Sequence, residues 1–350
     1  MTAPLTHILP LTLIRRTRLL PAPGRVSARV GQKVNATDVV AETRLAGAHQ
    51  IINVRRALSL SQSDQPERFL SCRAGDRLQK GDVIAEGGGL FSRLVRAPEN
   101  CRVVYIFNGQ VLLEMESQSH QLLAGINGVV TEIIPDQGVV VETSGALIQG
   151  VWGNNHIDQG LLLVMVKEPL EEVNRGTLDV SMRGAVVFGS HVSSADAILA
   201  AGELPLRGLI LGSMSAEARL AAETSQVPIM LLEGFGQLPI NSAAFKLLNT
   251  SERRDACINT TWDPIIGVRP ELVIPLPAEG QMHHDIVALA PEQRVRVISA
   301  PHASQVGKVV RLSTGITQLQ NGVRTPTADI LLEGGSEPVS IPIANLDVLE

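Results

Sequence analysis

VSARVGQKVNATDVVAE at residues 26–42 returns as LSCRAGDRLQKGDVIAE at residues 70–86, an offset of 44 with seven of seventeen positions identical. The shared residues are Ser27/Ser71, Arg29/Arg73, Gly31/Gly75, Asp38/Asp82, Val39/Val83, Ala41/Ala85 and Glu42/Glu86. Each copy alternates apolar and polar residues, turns at a glycine with a polar residue beside it, and alternates again. That is the pattern of a short strand, a turn and a second strand that buries one face.

The second copy carries a resemblance. Residues 75–84 (GDRLQKGDVI) resemble the hammerhead turn of biotinyl/lipoyl-type domains, the barrel-sandwich hybrids. Arg96-Ala97-Pro98 followed by Cys101-Arg102-Val103-Val104 is similar to the stretch that follows the carrier hairpin of those domains. The resemblance covers residues 22–116, and it implies a hybrid barrel over residues 22–118. A carrier needs a lysine at the tip of that hairpin, because its amine forms the amide to biotin or lipoate. Here the hairpin, residues 86–93, reads EGGGLFSR, and the five lysines (Lys33, Lys80, Lys167, Lys246, Lys308) lie elsewhere. The resemblance therefore implies a non-carrier barrel of the kind found in accessory electron-transport subunits and large polymerases. No cofactor is expected, and the arm is read as structural or as a docking surface.

A chain of 350 residues has room for two or three domains. Aromatic residues make up only 3%, while 31 glycines and 20 prolines fit many short strands joined by turns. The net charge of −5 argues against general affinity for phosphate backbones or anionic lipid. Cys72, Cys101 and Cys257 are widely spaced and odd in number, which indicates neither a disulfide framework nor a zinc ribbon and fits a reducing cytoplasm. In residues 1–21 the basic residues follow the apolar run and Pro10 interrupts it, so an extended segment covering a domain edge is expected in place of a targeting peptide. No stretch is long enough for a membrane helix.

Residues 119–176 continue as β structure with glycine turns. The glycine-dense residues 145–160 read either as consecutive tight turns or as a loop close to a ligand, with His156 and Asp158 as an acid/base or metal pair. From residue 177 to 262 the period changes. Apolar runs at residues 184–189, 207–212 and 227–233 alternate with helical stretches at 194–202, 215–224 and 242–249, and residues 256–259 supply a last strand. Ser193 and Asp196 have capping-box spacing. Such alternation predicts a small parallel α/β sheet with helices. The loops leaving its strands hold Ser190, His191, Ser193, Ser213, Ser215, Glu233, Gly234 and Gly236. They are expected side by side on one sheet edge, where helix N-termini and hydroxyls would favour a small anionic ligand. No GxGxxG fingerprint, Walker lysine or nucleophile elbow is present, and no catalytic or metal-binding set is assigned. The pair His283-His284 reads as an exposed loop within a proline-rich connector, residues 263–290, that also adds one strand.

Over residues 291–350, Gln293-Arg294-Val295-Arg296-Val297-Ile298, Pro301-His302 and Val306-Gly307-Lys308-Val309-Val310 resemble the KOW motif of SH3-like barrels. Residues 341–348 resemble that family's final strand. Many KOW barrels touch RNA, ribosomes or RNA polymerase. Five basic against six acidic residues, with no Phe, Tyr or Trp in this segment, argue against nucleic-acid contact here. The expected fold is thus multidomain and mainly β with one α/β domain: a barrel-sandwich hybrid, a small parallel α/β sheet with helices, and a C-terminal SH3-like β-barrel. The expected function is a non-enzymatic scaffold or adaptor that binds a protein partner or itself. Two alternatives are a sensor or enzyme for a small anionic ligand using the α/β domain, and a transcription or translation accessory factor acting through the KOW-like barrel.

Overall fold

In the computed structural model the two copies of the repeat make the same turn by the same hydrogen bonds. The structure describes residues 5–87, 93–282, 288–319 and 321–349. Most of the hairpin of residues 86–93, and the pair His283-His284, lie outside the described residues. Gly31 and Gly75 sit at φ 81° and 97°, which explains why both copies keep glycine there. The carboxylates of Asp38 and Asp82 each accept an N–H three residues back, from Asn35 and Gln79, both at 2.8 Å. An aspartate closing its own turn this way accounts for its identity in both copies. Gly31 donates to Val130 O and Val130 to Gln32 O, as Gly75 donates to Val103 O and Val103 to Asp76 O. The side chains of Asn127 and Asn100 accept from Ala36 N and Lys80 N respectively.

The chain divides into two units. One comprises Met1–Leu19, Ala28–Val40 and Leu123–Glu350, the other Leu20–Ser27 and Ala41–Leu122. Strand accounts for 47% of the chain and helix for 14%, so the protein is mainly β, with several sheets and few helices.

In the larger unit, four strands run parallel: Ile157–Val164, Ala185–Phe188, Gly208–Met214 and Ile229–Phe235. The helices Ala195–Glu203, Arg219–Thr224 and Ser242–Thr250 follow the last three, close to the expected positions. Their buried faces are mostly alanine (Ala197, Ala200, Ala201, Ala222, Ala244) with Ile198 and Leu248, and fully buried Phe188, Ile210 and Leu211 fill the core. The sheet is larger and more mixed than alternation implied. Its first parallel strand is Ile157–Val164, and Asp255–Asn259, the expected closing strand, runs antiparallel beside it. Beyond lie Glu271–Pro275 and the twelve-residue strand Gly138–Gln149, both antiparallel. The N-terminal segment is extended as expected, with Ile8–Leu19 pairing along the length of Gly138–Gln149. Gly145 lies inside that long strand, where an added Cβ would fall 2.2 Å from Ile274 O. The close backbone approach that needs glycine there is a neighbouring strand.

The same unit ends in a six-stranded sheet formed by Arg294–Val297, Val306–Gln318, Arg324–Leu332, Val339–Pro342 and Leu346–Leu349, with Leu5–Thr6 added in parallel to the last. Val295, Val309, Ala328, Ile330 and Leu346 are fully buried between its strands.

The smaller unit carries an antiparallel sheet of His49–Asn53, Gln110–Met115, Cys101–Phe107 and Arg77–Leu78. Its central hairpin turns at Asn108 and Gly109, both with positive φ (49° and 72°), the pairing a two-residue type I′ turn requires. One face of the sheet buries Val103, Val111, Leu113 and Met115. Among the described residues, no helix is long and apolar enough to cross a membrane.

Candidate functional site

The strand ends that sequence reading singled out do lie side by side, because His191 pairs with Ser213 and Ser213 with Gly234 in register. The strands run further than expected, so Ser213 and Gly234 sit within Gly208–Met214 and Ile229–Phe235 and not in loops after them. Gly212 allows this packing: a Cβ there would lie 2.3 Å from Ile240 Cγ1.

The polar groups of this edge are turned inward. Ser190 is fully buried and donates to Pro169 O at 2.7 Å. Ser213, also fully buried, donates its single proton to Leu238 O at 2.8 Å and accepts from Leu238 N. His191 Nδ1 lies 2.9 Å from the Ser213 hydroxyl. With that proton already committed, Nδ1 must be the donor. A histidine that activates serine needs the opposite polarity, so this pair fixes a loop and prepares no nucleophile. Ser193 and its own N–H both bond Glu172, at 2.5 and 3.1 Å, in place of the capping box with Asp196. Ser215 N donates to Val192 O, and its side chain makes no cap. Gly234 and Gly236 adopt φ 116° and 112°, and Gly236 N still donates to Met214 O of the neighbouring strand. His156 and Asp158 do not form an acid/base pair: Asp158 pairs with Arg207 at 3.1 Å, while His156 is held through its backbone by Thr260.

Glu233 opens onto something that sequence reading missed. Its side chain is fully buried; one oxygen accepts from Asn241 N and Nδ2, and the other meets Arg296 NH1 at 2.9 Å. Asn241 in turn caps Ser242–Thr250 through Ala244 N. Arg296, 2% exposed, bonds Leu232 O and reaches Asp347 at 2.6 Å. Asp347 also accepts from Thr6 and pairs with Arg269. Burial alone would depress the Arg296 guanidinium, but Glu233 and Asp347 outweigh it and hold it above its ordinary value. Glu233, Arg269, Arg296 and Asp347 line a cleft of about 630 Å³, together with Leu238, Trp262 and Ser304. Of the eight predicted site residues, only Glu233 reaches it. Its charges neutralise one another, two carboxylates against two guanidiniums, and the arrangement joins the C-terminal sheet to the parallel one without leaving a free acid or base.

The three thiols are buried. Burial pushes Cys257 up to about 12, against a smaller opposing pull from the Asn127 N–H, and burial followed by nearby acidic groups also raises Cys72 and Cys101. At about pH 8 the native protein is expected to release no thionitrobenzoate from Ellman's reagent, and the chain unfolded in guanidinium to release three equivalents. Rapid labelling of the native protein would contradict this. Stability should also fall as pH rises from the ordinary thiol value of 9.0 toward 12, because there the unfolded chain binds fewer protons.

Among the described residues, no group of three or more His, Cys, Asp or Glu could hold a metal ion. No model of a known protein family matches the chain, and no curated protein sequence matches it.

Proposed function

We propose that the chain is a non-enzymatic scaffold or adaptor that docks a protein partner on the outward face of the small unit's antiparallel sheet. The observation that carries this reading is a cluster of exposed apolar side chains on that face. Tyr105 pairs with Leu112, and Leu112 with Ile51, so the three form one cross-strand row. Phe107 stacks beside Tyr105, with ring centroids 6.4 Å apart. Ile51, Tyr105 and Phe107 are 63%, 59% and 67% exposed, while the opposite face of the same sheet is already buried. A chain with a single tyrosine and six phenylalanines places two of those seven rings in water, side by side. An exposed apolar patch of this kind marks an interaction site more often than chance, and aromatic anchors dominate such interfaces. A partner that presents an apolar surface fits it.

Two fold assignments belong to the same proposal. The hammerhead turns, with their matched hydrogen bonds, support a non-carrier barrel-sandwich hybrid. The residues 291–349 support a KOW-like SH3-type barrel used for packing, since buried Arg296 and Asp347 face the parallel sheet's Glu233. The inward-turned serines and the neutralised cleft favour a scaffold over an enzyme.

The test is photocrosslinking from position 107 in extract of the native host, with and without nuclease, followed by affinity measurement with the protein captured. Tyr105→Ser with Phe107→Ser should weaken that complex by about thirtyfold or more and leave folding stability within about 0.5 kcal/mol. A complex that survives the double substitution, or that nuclease destroys, overturns the proposal. A dimer that dissolves on the double substitution would make the partner a second copy of the chain.

A further inference from the structure

A second cleft, of about 310 Å³, lies in the larger unit against the strand Ile8–Leu19. Arg15, Arg16 and Arg18 line it with one carboxylate, that of Glu271. Glu271 is engaged with Arg16, at 2.7 and 2.8 Å, and with Gln149 Nε2. Arg15 is paired with Glu132 and Glu142. Arg18 differs. Its Nε donates to Leu123 O at 3.1 Å, and among the described residues its two terminal nitrogens have no hydrogen-bond partner and no carboxylate in contact. Burial draws its guanidinium below the ordinary value, against a smaller opposing effect of Glu271.

The place where Arg18 ends is shaped by a glycine. Gly125 adopts φ 82°, and a Cβ there would lie 3.2 Å from Arg18 Cζ and Nε and from Asn259 Nδ2. Guanidinium and amide therefore converge over one bare Cα. Asn259 is oriented by Thr261, whose N–H and hydroxyl both donate to Oδ1 at 3.1 and 2.7 Å. That leaves Nδ2 as a second donor without an acceptor among the described residues. Donors from two strands thus meet in a cleft whose lining carries three positive charges and one negative.

We infer that the cleft formed by Arg18, Asn259 and Gly125 binds a small oxyanion, a carboxylate or a phosphate, held by the Arg18 guanidinium and the Asn259 amide. A planar guanidinium fork beside an amide donor matches the two oxygens of a carboxylate, and a phosphate offers the same acceptors. The volume admits a small molecule and not a chain segment. This site is independent of the docking face.

Calorimetric titration of the full chain with sodium acetate and with inorganic phosphate, at constant ionic strength in a chloride buffer, tests the inference. One equivalent of at least one anion should bind saturably, and the tighter of the two identifies which oxyanion the site takes. Asn259→Asp keeps the acceptor for Thr261 and replaces the free donor with a negative charge, so it should weaken binding about tenfold or more. Arg18→Met should remove it. Should Arg18→Met not fold, the Asn259→Asp comparison decides alone. Absence of saturable binding to wild-type protein at about 10 mM of both anions (an affinity weaker than about 3 kcal/mol) overturns the inference, as does unchanged affinity in Asn259→Asp.

Discussion

Arg296→Leu is expected to destabilise the larger unit by about 3–5 kcal/mol, the usual consequence of removing one partner from a buried ion pair. The guanidinium bridges Glu233 and Asp347, and all three side chains are at most 3% exposed. Asp347 would keep Thr6 and Arg269. Glu233 would keep only Asn241 and remain a buried carboxylate without a cation. Both tryptophans, Trp152 and Trp262, belong to this unit, so fluorescence during urea unfolding reports it directly. Arg296→Leu combined with Glu233→Gln should recover a substantial part of the loss. A loss below about 1 kcal/mol, the range of exposed pairs, would show that the triad contributes no more than surface charges do.

The second large effect is expected at Asn154. This buried side chain makes five polar contacts. Its Nδ2 shares two protons among the carbonyls of Ala222, Ser225 and Val227, and its Oδ1 accepts from Ile229 N and the Thr260 hydroxyl. It thereby ties the turn before Ile229–Phe235 to Asp255–Asn259 and its continuation. Asn154→Ala strands several buried groups at about 1–3 kcal/mol each, and partial relaxation leaves a net loss of about 3–4 kcal/mol. The Ile229 amide, protected in the wild type, should then exchange with solvent far faster. Asn154→Asp should do little better, since three of the five contacts need an N–H. Retained protection at Ile229 in Asn154→Ala would show that the loop is held by its own backbone.

What was legible in the sequence is what repeats or alternates locally. The two copies of the repeat could be read because glycine and aspartate perform local tasks in each, a positive φ and an Asx-type closure. The parallel strands could be read because burial on both faces leaves apolar runs. The alternation Arg294-Val295-Arg296-Val297 places Arg296 on the same face as exposed Arg294. The strand is covered on that face at Arg296, and its partners Glu233 and Asp347 are 63 and 51 residues away. No local pattern encodes such a pairing. His191, Ser213 and Gly234 lie in one row, but the acceptors of Ser190, Ser213 and Ser193, namely Pro169 O, Leu238 O and Glu172, come from irregular segments that no periodicity marks. The segment 124–130 (AGINGVV) did hold an available signal. It parallels residues 97–103 (APENCRV), and its Asn127 plays the part of Asn100.

The repeated turns also impose an order on folding. Gly75 bonds Val103 across a span of 28 residues, whereas Gly31 bonds Val130 across a span of 99. The second copy is nested inside the first, like a bracket within a bracket. Closing the outer loop costs about 1 kcal/mol more in chain entropy than closing the inner one. In synthesis from the N-terminus, the inner partner Val103 is made 27 residues before the outer partner Val130. The older half of the repeat, in the sense of synthesis, is therefore the later to be completed.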